Sequence, residues 1–470
     1  MRKKKKIILI LLLLLIVGTG IGYAKIESIN GNSGFISIRR NRSYYELMGY
    51  TENTGYYTSE IMSKVKRIII NDEVGNDFTA PDNIQGELIN VSGDGSDAIR
   101  AYLVPNADDS SLSDMYIIAN GFIKLPQDAS NLFAGFTNLT EIVNPSRLIT
   151  EQTTNISSIF KGTKISSLNL AAWDMSKVTN MSSAFEDVNM TELNLSNWKY
   201  NLVTDASNMF KNSTITNLYI EDLEFNGDVN LTSMFEGTTT NLIDVKLTAK
   251  AKLTGDALFK GSKVSILKLN NLSIAGAEST LSEFALNSEI NKFEGDNWNI
   301  PTITTLSNFF KGSTRLSEVT MKNLKLSDSE DFSFASMFEG CVSLNTVDLS
   351  GLTGNLKANM SNMFKGDITI IGINLSNIPG VKVTNLESFI QGDRLLELLD
   401  LTSLDLSECA NYLNAFKDCE NLTTINVNNT YTEPTSGDEE NPYVFKEEGT
   451  VIVTILPETP DTGGEEPTEP

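Results

Sequence analysis

Apolar residues along the chain fall into a repeating unit rather than a run of independent elements. Twelve phenylalanines recur at intervals of 24 to 28 residues: Phe133, Phe160, Phe185, Phe210, Phe235, Phe259, Phe284, Phe310, Phe338, Phe364, Phe389 and Phe416. About five residues after each comes an apolar-x-x-apolar-x-apolar hexad, as in Ile165-Leu168-Leu170, Met190-Leu193-Leu195 and Leu422-Ile425-Val427. The spacing is that of a leucine-rich-repeat strand. The end of the hexad alternates with period two, which predicts a short strand with one buried face. Three positions further on stands another apolar residue, among them Trp173, Trp198 and Trp298, the three tryptophans of the chain. Runs such as VTNMSSAF follow, with Val178, Met181 and Phe185 stepping by three or four. This spacing predicts a short helical or 3₁₀ turn on the outer side. A single unit cannot bury its own apolar face, whereas stacked units share one core. The expected fold is therefore an α/β repeat, a curved leucine-rich-repeat solenoid of about 12 units over residues 120–429. Its strands form a parallel face and its short helical turns lie outside.

The flanks read differently. Residues 1–24 join a basic start, MRKKKK, to an apolar run from Ile7 to Val17. This is the pattern of a signal peptide cut before Lys25, or of an uncleaved signal anchor, and it predicts export to the cell surface or medium. Residues 25–119 hold short β-like runs such as FISIRR, VKRIII and AIRAYLV between Gly, Asn and Asp clusters. A small β-rich N-terminal cap over the exposed end of the array is the expectation there. Residues 430–456 predict a C-terminal cap or strand pair, and residues 457–470, rich in Pro, Thr, Gly and Glu, a disordered acidic tail.

The unit WDMSKVTNMSSAFEDVNMTELNLSNW, Trp173 to Trp198, resembles the repeat of the BspA-like leucine-rich-repeat surface proteins, and SNLFAGFTNLTEI, Ser130 to Ile142, resembles the phrase that opens such arrays. The resemblance spans about Asn120 to Asn429. It implies an exported, non-catalytic bacterial protein associated with adhesion to host proteins or other cells. The sequence departs from that pattern at Phe284, which lies in EFALNS without the usual Gly, and at Gly295, which ends one hexad.

Composition narrows the chemistry. The formal net charge is -23, and there is no His among 470 residues. Such an acidic chain repels phosphate backbones, which argues against a nucleic-acid partner. Without imidazole, Ser-His and Cys-His nucleophiles and His-containing zinc sites are excluded. No cofactor, metal or catalytic residue is expected. Asp94 with Asp97, and Asp72 and Glu73 with Asp77, lack the ligand spacing of a calcium loop and read as solvated turns. Cys341 and Cys419 read as buried packing residues. Binding is then expected on the strand face, where positions three and five of stacked hexads form two outward rows. One aromatic, one aliphatic and three cationic residues gather there: Tyr219, Lys246, Ile266, Lys268 and Lys292. They form the candidate protein-binding patch, for an extracellular or host protein or another cell surface. Membrane contact is expected only through an uncleaved N-terminal segment. The alternative is a structural, self-assembling envelope component with no external ligand.

Overall fold

The computed structural model describes residues 25–29, 36–39, 43–71, 87–119, 121–431 and 452–455. The leader, the Asp72, Glu73 and Asp77 group and the acidic tail lie outside the described residues. The chain divides into two compact units, one running to Pro126 with Ile142–Gln152, the other taking Gln127–Glu141 and the chain from Thr153 on.

The first unit is β-rich. Its larger sheet orders the strands Glu87–Asn90, Ile99–Pro105, Ser113–Ala119 and Val65–Asn71, with antiparallel pairing along the first three and the last parallel to Ser113–Ala119. A second, parallel sheet joins Tyr44–Glu46, Phe122–Lys124 and Leu148–Ile149. The helix Ser59–Lys64 starts where the Thr58 hydroxyl accepts from the Ile61 amide. This unit takes in residues 121–126 and 142–152, which the repeat pattern places in the array. In the Asp94–Asp97 turn, Asp94 accepts from the Ser96 amide and Asp97 pairs with Arg100 at 2.6 Å.

The second unit is a parallel β-solenoid of about 12 coils. Nine hexad strands, from Ser167–Asn169 through Thr214–Tyr219 and Lys263–Lys268 to Gly372–Asn374, form one sheet with consecutive coils as neighbours. Leu398–Asp400, Thr424–Val427 and Ile452–Ile455 form a further parallel sheet, and most of residues 430–456, where a cap or strand pair is expected, lie outside the described residues. Five shorter strands, Leu223–Phe225 to Lys325–Leu326, make a second side. Inside, phenylalanine rings stack coil on coil, with centroids 5.3 Å apart for Phe133 and Phe160, 5.7 Å for Phe185 and Phe210, and 5.2 Å for Phe338 and Phe364. Two rings leave that column. Phe259 donates its amide to Phe284 and the next coil is met from Ala285, while Ile390 takes the slot after Phe364. Phe284 and Phe389 thus sit one residue earlier in their coils than the periodicity places them.

The outer helical turns are absent: among the described residues the second unit contains no helix, and the two helical segments, Ser59–Lys64 and Pro145–Arg147, belong to the first. The reason is where the amides go. In a helix each N–H serves the carbonyl four residues back. Here Ser158, Phe160 and Gly162 donate instead to Ser182, Ala184 and Glu186 of the next coil, at 2.8, 3.0 and 2.9 Å. The amides between them close tight turns within the coil, as Ile159 does on Ile156. A left-handed residue recurs two positions before the ring column, at Asn131, Ser158, Ser183, Asn208 and onward, which no helix accommodates. The Asn of VTNMSS closes the turn, its side chain accepting from the amide two residues on, as Asn180 does from Ser182 at 2.9 Å.

Three residues past the ring column lies a buried polar slot. Thr238, Ser313 and Cys341 fill it and donate to Phe210, Ala285 and Phe310 carbonyls at 2.7, 2.8 and 3.1 Å. Cys341, Cys409 and Cys419 are free thiols. In the next coils the slot holds acids, Asp367 and Asp393.

Candidate binding face and its breach

The hexad strands present positions three and five to solvent. Register defines the rows: Ser167, Glu192 and Asn217 align in one, and Asn169, Asn194 and Tyr219 in the other. Further along, Leu242, Ile266, Lys292 and Glu318 continue the first, and Asp244, Lys268, Glu294 and Thr320 the second. Four of the five predicted residues, Tyr219, Ile266, Lys268 and Lys292, therefore stand on this face. Lys246 does not. It lies in the corner beyond the strand, where its amide donates to Asp222 at 3.0 Å and its carbonyl accepts from the Leu223 amide at 2.8 Å. Leu242 and Asp244 occupy the two outward positions of that coil instead.

The cations are not a positive field. Lys268 meets Glu294 at 3.3 Å, and Lys292 lies between Glu294 and Glu318 at 3.4 and 3.0 Å. These two carboxylates hold the Lys292 ammonium above its ordinary pKa, Glu318 most strongly. Next to this compensated stretch is an apolar one: Tyr219, Leu242 and Ile266 are 48%, 45% and 37% exposed on consecutive coils.

The sheet is breached at the same place. The strands Asn189–Asn194 and Thr214–Tyr219 pair from end to end, as do Thr239–Asp244 and Lys263–Lys268. Between these couples, Thr214–Tyr219 meets Thr239–Asp244 only at Thr214 and Thr239. Both coils are pinned again at Leu223 and Leu247, nine residue steps on in one and eight in the other, and between these pins the strands part; the next couple absorbs the same one-residue difference, nine steps from Thr239 to Thr248 against ten from Lys263 to Ser273, while staying paired. Leu218 and Ile220 become half-exposed, whereas their counterparts Leu193 and Leu195 are buried. The coil-to-coil bond made by the Leu195 amide to Tyr219 at 2.8 Å, and by Val245 to Lys268 at 3.2 Å, has no equivalent from Ile220 among the described residues. What opens is a cleft of about 350 Å³ lined by Leu218, Tyr219, Ile220, Leu242 and Asp244 among others. Sequence reasoning found its rim residue Tyr219 and missed Leu242, because the hexad that the fold uses, Thr240-Ile243-Val245, begins on a polar residue, whereas the overlapping Leu242-Val245-Leu247 is apolar at all three positions.

Among the described residues, no group of three or more His, Cys, Asp or Glu is placed to hold a metal ion, and no helix is long and apolar enough to cross a membrane. The three tryptophans are buried, and the indole N–H groups of Trp198 and Trp298 donate to the Leu170 and Leu269 carbonyls at 2.9 and 2.7 Å.

A family model described as "Mycoplasma protein of unknown function, DUF285" matches residues 127–246, 278–397 and 353–436. No curated protein matches. Among solved structures, a chain of the mouse RP105/MD-1 complex is 16% identical, with 65% of this chain and 67% of that chain covered and a TM-score of 0.15. A chain of the TLR13–ssRNA13 complex is 12% identical, with 68% and 74% covered and a TM-score of 0.12. At such TM-scores neither superposition informs the fold or the site.

Proposed function

Since the chain belongs to the DUF285 family, whose description names no function, we propose one from the face: an exported bacterial surface protein of the BspA-like kind that binds proteins through its hexad strands, in adhesion and without catalysis. The observation that carries this reading is the group of exposed Tyr219, Leu242 and Ile266, drawn from both outward rows on consecutive coils, on an otherwise polar sheet. Apolar and aromatic side chains clustered on a rigid face, ringed by polar groups, suit a protein partner. The leader-like residues 1–24 support export. Capture of whole cells and of a panel of matrix proteins tests it. Wild-type protein should retain a ligand that Ile266→Glu and Tyr219→Ala release; capture unchanged in both variants would exclude the face.

A second reading is favoured by one observation. Ile368, Ile371, Leu395 and Leu398 stand exposed on adjacent coils, an aliphatic group suited to contact between copies. Concentration-dependent oligomers without capture would replace adhesion by self-assembly.

A further inference from the structure

Resting on the adhesive reading, we infer that the breach between Thr214–Tyr219 and Thr239–Asp244 is a socket for an extended polypeptide segment of the partner, one that carries an aromatic or long aliphatic side chain beside a lysine or arginine. Three features select that occupant. The half-exposed Leu218 and Ile220 give the cleft an apolar lining, and its volume of about 350 Å³ is at the lower end of what ligand sites enclose, room for one or two large side chains. The Ile220 amide, which the neighbouring coils' pattern assigns to a carbonyl of the next strand, has no partner among the described residues. An extended segment supplies that carbonyl from its own backbone, as peptides do along open strand edges.

Charge sets the rest. Asp244 lines the cleft, and Glu192 stands two strands before it on the face. Neither is ion-paired among the described residues, in contrast with Glu294 and Glu318 a few coils on. Glu221 and Asp222, exposed at the corner, add to the negative field; among the described residues they accept from the Asn197 and Lys246 amides and make no ion pair. A cation flanking the apolar anchor finds carboxylates there, and an acidic segment is repelled.

The test uses purified full-length protein and three fluorescein-labelled peptides read by polarisation: Lys-Ile-Phe-Lys, Glu-Ile-Phe-Glu and Lys-Gly-Gly-Lys. Only the first should bind saturably. Leu242→Asp and Asp244→Lys, both at exposed positions, should each weaken it by about tenfold or more. Leu398→Asp, at a distant exposed apolar site on another strand, should leave it unchanged, which separates the socket from general stickiness. Equal binding of the acidic peptide, wild-type affinity in both cleft variants, or no saturable binding overturns the socket. If cells are captured and Ile266→Glu abolishes capture, yet no peptide binds, the socket falls and the adhesive face stands. Peptide binding without any capture has the opposite meaning.

Discussion

Asp367 shows how far one residue departs from its column. The slot it occupies is built for a donor: Thr238, Ser313 and Cys341 each give a hydrogen to a carbonyl of the preceding coil. Asp367 is fully buried there, and both its carboxyl oxygens are without a hydrogen-bond partner. Burial raises its pKa well above the ordinary value; the Cys341 and Gly340 amides work against this, while the nearby Asp393 and Glu339 push the same way as burial. Asp393, one coil on, accepts from the Ile370, Leu395 and Leu396 amides, which work against the same desolvation. The pH consequence follows from linkage. Below about 3.9, where an unfolded Asp titrates, Asp367 is neutral in both states and costs nothing further. As pH rises, the unfolded chain releases the proton that the folded chain retains, so stability is lost until the folded pKa is passed. Asp367→Ser should therefore raise the unfolding free energy read from urea titration at pH 7 by about 1–3 kcal/mol for a relieved unsatisfied group, with the gain shrinking towards pH 4. A pH-independent difference would show that the carboxyl is not protonated in the fold. The periodicity made this slot legible through Cys341 and Cys419, but an acid in it reads from sequence as one of many solvated carboxylates.

At the scale of the element, strands were legible and their register was not always. Period-two alternation located the hexads, because one buried face demands it. The outer turns were misread because an Asx-turn and a helical turn share the three-and-four spacing of apolar residues, and only the neighbouring coil decides which amides are spoken for. Lys246 was misplaced for a related reason: the wholly apolar hexad Leu242-Val245-Leu247 overlaps the one the fold uses, which begins on Thr240. The breach makes a measurable prediction. The Ile220 amide should exchange with deuterium faster than the Leu195 and Leu269 amides, which donate to Tyr219 and Glu294 at 2.8 Å in both cases. If Ile220 already exchanges as slowly as Leu195 in the wild type, the strands are closed in solution and there is no breach.

At the scale of the molecule, a parallel solenoid has a quasi-one-dimensional energetics, each coil held by the two beside it. The ring column couples them: Phe210 stacks on Phe185 at 5.7 Å and on Phe235 at 5.1 Å, and Phe185 lies 6.1 Å from Trp198. Removing the Phe210 ring leaves a cavity in that column, a loss of about 3–5 kcal/mol for a core Phe→Ala. The damage should stay local. In a protein whose sole tryptophan is Trp198, Phe210→Ala should lower the urea midpoint markedly. With Trp298 as the sole reporter, whose ring sits with Phe284, Phe293 and Phe309, the midpoint should move far less. Before denaturant is added, both buried indoles should emit at blue-shifted wavelengths and ignore soluble glycans. Coincident shifts at the two reporters would mean that the coils unfold as one body. Local loss has a functional side, since the coils around Phe210 are those that carry Tyr219 and Leu242. Phe210→Ala should then weaken partner capture at denaturant concentrations where Trp298 still reports a folded array.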